Sequence, residues 1–100
     1  MQLMTKEIKQ KLPPLGTDDP DASVVFKLFA PWTNWTWYVT EGDAVGDDYR
    51  LFGLVDGSEK ELGYFMLSEL EMVTGPMGLK IERDRGYTAK LSDLMGRHHE

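Results

Sequence analysis

Residues Trp35–Leu67 read WTWYVTEGDAVGDDYRLFGLVDGSEKELGYFML, and their rhythm decides the fold. Trp35, Trp37 and Val39 alternate with Thr36, Tyr38 and Thr40, the period of two that a strand imposes on its side chains. A strand is therefore expected over Trp35–Glu41. Gly42–Asp48 (GDAVGDD) reads as a turn region, rich in glycine and aspartate. Tyr49–Val55 (YRLFGLV) is a third strand, and Asp56-Gly57 a tight hairpin signal after it. Glu61–Leu67 (ELGYFML) is the fourth. Upstream, Val24–Ala30 (VVFKLFA) is β-branched and aromatic, and Pro31 stops it. Apolar residues fall on both faces of these strands, so one face is expected to be covered by helix or loop and not left in water.

Working further outward, Thr5 is a fair N-cap for a short helix with Glu7 in its first turn and Leu3 or Met4, Ile8 and Leu12 on one side. Pro13-Pro14 ends it, because proline has no N–H and pushes its predecessor out of the helical region. Gly16–Ser23 (GTDDPDAS) is loop. After the strands, Ser68 is expected to cap a helix over Glu69–Val73, with Glu71 completing a capping box, and Gly75-Pro76 to end it. Leu79–Arg85 reads as a weak strand or extended arm, and Leu91–Met95 as a last helical turn capped by Ser92. The fold class is α+β: about a four-stranded antiparallel sheet (meander) with short helices at the N-terminus and after the last strand, in a single domain over 1–100.

One hundred residues with 41% hydrophobic and 11% aromatic content suffice for one core. No apolar run approaches the roughly 20 residues of a membrane span, and the charged start lacks a signal-peptide core, so the expected location is cytoplasmic. Absence of cysteine excludes disulfides and thiolate chemistry. The net charge of −6 is concentrated: residues 17–72 carry Lys27, Arg50 and Lys60 against twelve acids. Such a middle repels phosphate backbones and suits a basic protein partner. No direct nucleic-acid binding and no membrane contact are expected.

Catalytic chemistry finds little support. The two histidines, His98 and His99, lie side by side at the end of the chain. No phosphate-binding glycine motif occurs, and the acids around Gly42–Asp48 lack calcium-loop spacing. No catalytic residue, metal site or cofactor is assigned. A carboxylate-dependent hydrolase is the weakest of the alternatives. Two surfaces are candidates for binding. One is acidic: Glu41, Asp43, Asp47, Asp48, Asp56, Glu59 and Glu61. The other is an aromatic shelf of Trp32, Asn34 and Trp35, able to stack a small ligand or a nucleic-acid end. Against the shelf stands the plainer reading that Trp35 and Trp37 are mostly buried core.

Four segments, TKEIKQKLPPL (Thr5–Leu15), PWTNWTWYVTE (Pro31–Glu41), ELGYFMLSELE (Glu61–Glu71) and GPMGLKIERD (Gly75–Asp84), together resemble a family of small bacterial proteins known as domain of unknown function 2958. The resemblance covers nearly the whole chain in the same order. It implies cargo of plasmids, conjugative elements and phages, often near antirestriction genes, and no activity or catalytic residue to carry over. The expectation that follows is a small acidic protein-binding module of a mobile element. It would inhibit a host defence complex, CRISPR or restriction, by occupying a basic DNA-binding surface; its partner would be a basic, nucleic-acid-binding host protein.

Overall fold

A computed structural model of the chain describes residues 3–84 and 86–95; the expectations for His98 and His99 lie outside them. Helix α1 spans Lys6–Lys11, capped as expected by Thr5, whose Oγ1 accepts the Ile8 N–H at 3.2 Å. Strands β1 (Phe26–Phe29), β2 (Thr36–Val45), β3 (Asp48–Asp56) and β4 (Lys60–Met66) form the meander. Helix α2 (Leu67–Met72) and a 3₁₀ turn (Pro76–Gly78) follow, then β5 (Glu82–Asp84) and α3 (Leu91–Leu94). The sheet has five antiparallel strands in the order β4-β3-β2-β1-β5. The expected weak arm is thus a true edge strand: Glu82–Asp84 pair with Phe29–Lys27.

Several boundaries differ from the sequence reading, and three of the differences trace to particular contacts. The expected turn at Gly42–Asp48 shrinks to Gly46 and Asp47, with Gly46 at φ +60°. Gly42–Val45 stay extended because they pair with Leu51–Asp48 of β3. Gly42 also lets Leu12 and Leu51 close over it, since a Cβ there would lie 3.0 and 2.9 Å from their side chains. Helix α2 starts at Leu67, and its third residue Glu69, not Glu71, accepts the Met66 N–H at 3.1 Å. Ser68 lies inside it, its hydroxyl bonded to Asp48. Ser92 likewise sits within α3 and donates to Asp21 Oδ1 at 2.9 Å.

A bulge at Thr40 in β2 switches which residues share a face. One face carries Phe26, Leu28, Trp37, Val39 and Leu51; Leu3, Met4, Leu70 and Ile81 close over it, with Ile8 and Leu12 of α1 packed alongside. Each fully buried Val, Leu, Ile, Phe or Met among them contributes about 1.5–3 kcal/mol. The other face carries Lys27, Tyr38 and Leu54 and is crossed by the segment after β5. There Tyr87 lies against Tyr38 (5.6 Å between rings), Lys27 sits over both rings, and the Leu94 carbonyl accepts from Lys60 Nζ at 2.9 Å. Burial and the neighbouring Tyr87 and Asp56 raise the Tyr38 hydroxyl above its ordinary pKa of 10.0.

Candidate partner-binding site

The seven acidic candidates do not share one surface. Glu41 is 4% exposed. It accepts the Gly16 N–H at 3.1 Å and the Asp18 N–H at 2.7 Å, one on each oxygen. Asp43 accepts the Leu15 N–H at 2.9 Å. Two acids of β2 therefore clasp the loop after α1, whose Gly16 (φ +90°) and Asp18 (φ +55°) adopt left-handed backbone. Asp48 accepts the Ser68 hydroxyl and the Tyr49 and Ser68 N–H groups. The Ser68 hydroxyl first, then the Tyr49 amide, hold its carboxyl below its ordinary 3.8. These three belong to the fold's own wiring; Glu41 in particular is removed from any contact face. Their role was missed because their partners lie 20 to 28 positions away in sequence.

The remaining four divide between the two ends of β3. Asp47 is exposed at the β2–β3 turn, whereas Asp56 is half-buried at the opposite end. Glu59 and Glu61 are exposed at that same opposite end, on the β3–β4 hairpin. The aromatic candidates divide too. The Trp32 ring is half-buried and packs on the core and on Gly75, where a Cβ would come within 2.4 Å of it. Asn34 is exposed. Trp35 and Trp37 share a face, as expected, with ring centroids 6.0 Å apart. Trp37 is half-buried against the core, but Trp35 is 40% exposed, which corrects the expectation that both are mostly buried. Trp35 lies just before β2 and, unlike Trp37, is not among the residues packed against the core.

What the structure brings together is Trp35 with Glu59 and Glu61. Cross-strand pairing sets Trp37 beside Val55 and Val55 beside Glu61. The Trp35 indole lies flat on the hairpin at Gly57, where a Cβ would approach it to 2.5 Å. Trp35, Val55, Ser58, Glu59 and Glu61 line one depression of about 330 Å³. It offers an aromatic face, an apolar floor and two carboxylates. That combination attracts a cation, through the ring's quadrupole and through charge. Among the described residues no three His, Cys, Asp or Glu side chains gather as a metal site would require.

Residues 1–95 match the family described as protein of unknown function, DUF2958. The chain is a DUF2958 protein. No curated protein and no solved structure matches this DUF2958 protein.

Proposed function

We propose that this protein is a non-catalytic binding module that seats a basic side chain of a partner protein in the depression of Trp35, Glu59 and Glu61. The observation that carries the reading is the convergence of an exposed indole, packed on Gly57 and beside Trp37, with two exposed carboxylates. An arginine fits best, because its planar guanidinium stacks on indole and bonds carboxylates in parallel. The acidic middle of the chain steers such a partner toward the site over about a Debye length. In the biological setting implied by the family resemblance, the partner is a DNA-handling protein of a host defence complex, and the protein comes from a mobile element. Its place of action is the cytoplasm.

The same geometry disfavours the other readings. Stacking of a nucleic-acid end on Trp35 would bring phosphates against Glu59 and Glu61. A hydrolase needs a carboxyl with a raised pKa as its general acid, whereas Asp48 is lowered and both oxygens of buried Glu41 are taken by backbone amides.

The test is a titration of the protein with a hexa-arginine peptide, read by tryptophan emission, at low salt and at about 1 M salt. Emission should change on binding, and the affinity should fall with salt. Glu59→Lys with Glu61→Lys should abolish binding, and Trp35→Ala should weaken it about 3- to 30-fold, the worth of one cation–π contact. Binding unchanged in both variants refutes the site; binding that survives high salt refutes its electrostatic basis.

A further inference from the structure

The outer strand of the meander, β4, has one side unpaired among the described residues, since it ends the strand order. Two hydrogen bonds settle which of its backbone groups face outward. The Gly42 N–H is bonded to the Pro13 carbonyl at 3.0 Å, away from its β3 neighbour Leu51. Leu51 therefore turns its own N–H and C=O to β4, because antiparallel ladders alternate. At the other end the Met66 N–H goes to Glu69, away from Arg50. Both observations put Glu61, Gly63 and Phe65 in the ladder with β3 and leave the N–H and C=O of Leu62 and Tyr64 pointing outward. The side chains of these two residues are also 43% and 56% exposed. The Tyr64 ring is held in place between Phe52 (4.9 Å) and Arg50 (5.0 Å). Natural edge strands are usually blunted by proline, bulges, inward charges or a covering segment. Leu62–Met66 has neither proline nor charge, and its pairing with β3 runs without a bulge.

We propose that β4 is a self-association edge, joining two copies of the chain antiparallel about a two-fold axis at Gly63. In this register Leu62 of each copy lies opposite Tyr64 of the other. Each such pair exchanges two backbone hydrogen bonds, and the exposed apolar side chains meet on one face of the joined sheet. The two Gly63 residues face each other without obstruction, since a Cβ at Gly63 would have nothing within 4 Å in the single chain. Lys60 of each copy comes opposite Met66 of the other, beside the Glu69 carboxylate already bonded to the Met66 amide. Opposite charges thus flank the join at both ends. The same carboxylate occupies the Met66 donor, so the shared ladder ends there instead of running on, and the two-fold arrangement closes.

The experiment is sedimentation equilibrium of the purified chain up to about 1 mM, with amide hydrogen exchange of Leu62 and Tyr64. The mass should rise from 11.4 kDa toward that of a dimer with a Kd of about 10–100 µM. The Leu62 and Tyr64 amides should exchange freely when dilute and become protected as the dimer forms. Tyr64→Pro removes an outward N–H that β3 does not use, a substitution edge strands tolerate, and should leave a folded monomer. Should circular dichroism show that variant unfolded, Leu62→Lys with Tyr64→Lys keeps the backbone intact and should also be monomeric. A parent chain still monomeric at the top concentration overturns the proposal. So does a dimer that persists in the double-lysine variant, which places the contact elsewhere.

Discussion

Replacing Glu41 by glutamine keeps the side chain's size and changes one oxygen into an NH₂ group. In the native chain the two oxygens accept from Gly16 and Asp18 at 3.1 and 2.7 Å. Glutamine can satisfy only one of these donors and turns an N–H toward the other. A hydrogen bond to a charged group contributes about 1.5–3 kcal/mol, and because Gly16 and Asp18 lie in an exposed loop the amide that loses its acceptor can return to water. Removing a buried charge recovers part of its desolvation, which leaves a net loss of about 1–2 kcal/mol. At 4–8 °C per kcal/mol for a domain of this size, Tm should fall by roughly 5–15 °C. Urea unfolding measures the free energy, and hydrogen exchange of the Gly16 and Asp18 amides locates the loss. Asp47→Asn, at an exposed turn, should stay within about 0.5 kcal/mol of the parent. If Glu41→Gln were equally silent and its loop amides stayed protected, the carboxylate clasp would not hold the loop.

Other perturbations separate the roles of neighbouring residues. Gly57→Ala should displace the Trp35 ring, shift tryptophan emission to the red and weaken hexa-arginine binding; a Trp35→Phe background, in which the shift should vanish, assigns the signal. Leu28→Ala, in the fully buried centre of the sheet, should cost about 2–5 kcal/mol in urea unfolding, whereas Trp35→Ala should cost clearly less. Because Asp48 is depressed below 3.8 in the folded chain, it contributes stability above about pH 4 that is lost as pH falls through its folded value. Ser68→Ala should raise the Asp48 pKa in a carboxyl NMR titration, and the stability gap between Ser68→Ala and the parent should shrink on going from pH 6 to acid.

Much of the architecture is legible in local sequence. Thr5 and Pro13-Pro14 bracket α1 because capping and proline sterics act within a few residues, and the alternation of Trp35, Trp37 and Val39 marks β2. The rest is set by distant partners. Gly42–Val45 looks like a turn until Leu12 and β3 are laid over it, and Glu82–Asp84, three charged residues, becomes a strand only because β1 has an open side. Periodicity placed Trp35 and Trp37 on one face but carried no information on how deeply each is covered. Every charged or aromatic residue lining the depression was a sequence candidate. Their convergence was hidden in the hairpin register, and the clasping role of Glu41, Asp43 and Asp48 in contacts with loop and helix backbone.

The late position of β5 has a consequence for how the chain matures on the ribosome. Strands β1 to β4 are joined by short connections and can pair in order as they emerge, with little loop entropy to overcome. Lys27 must wait for Asp84, and the core lacks Ile81 until the same moment. During that interval the chain carries two open sheet edges and an unfinished hydrophobic face. Docking of Ile81–Asp84 and of Leu91, which brings Ile81 and Leu91 into buried positions, then closes the open side of β1 and completes the hydrophobic face.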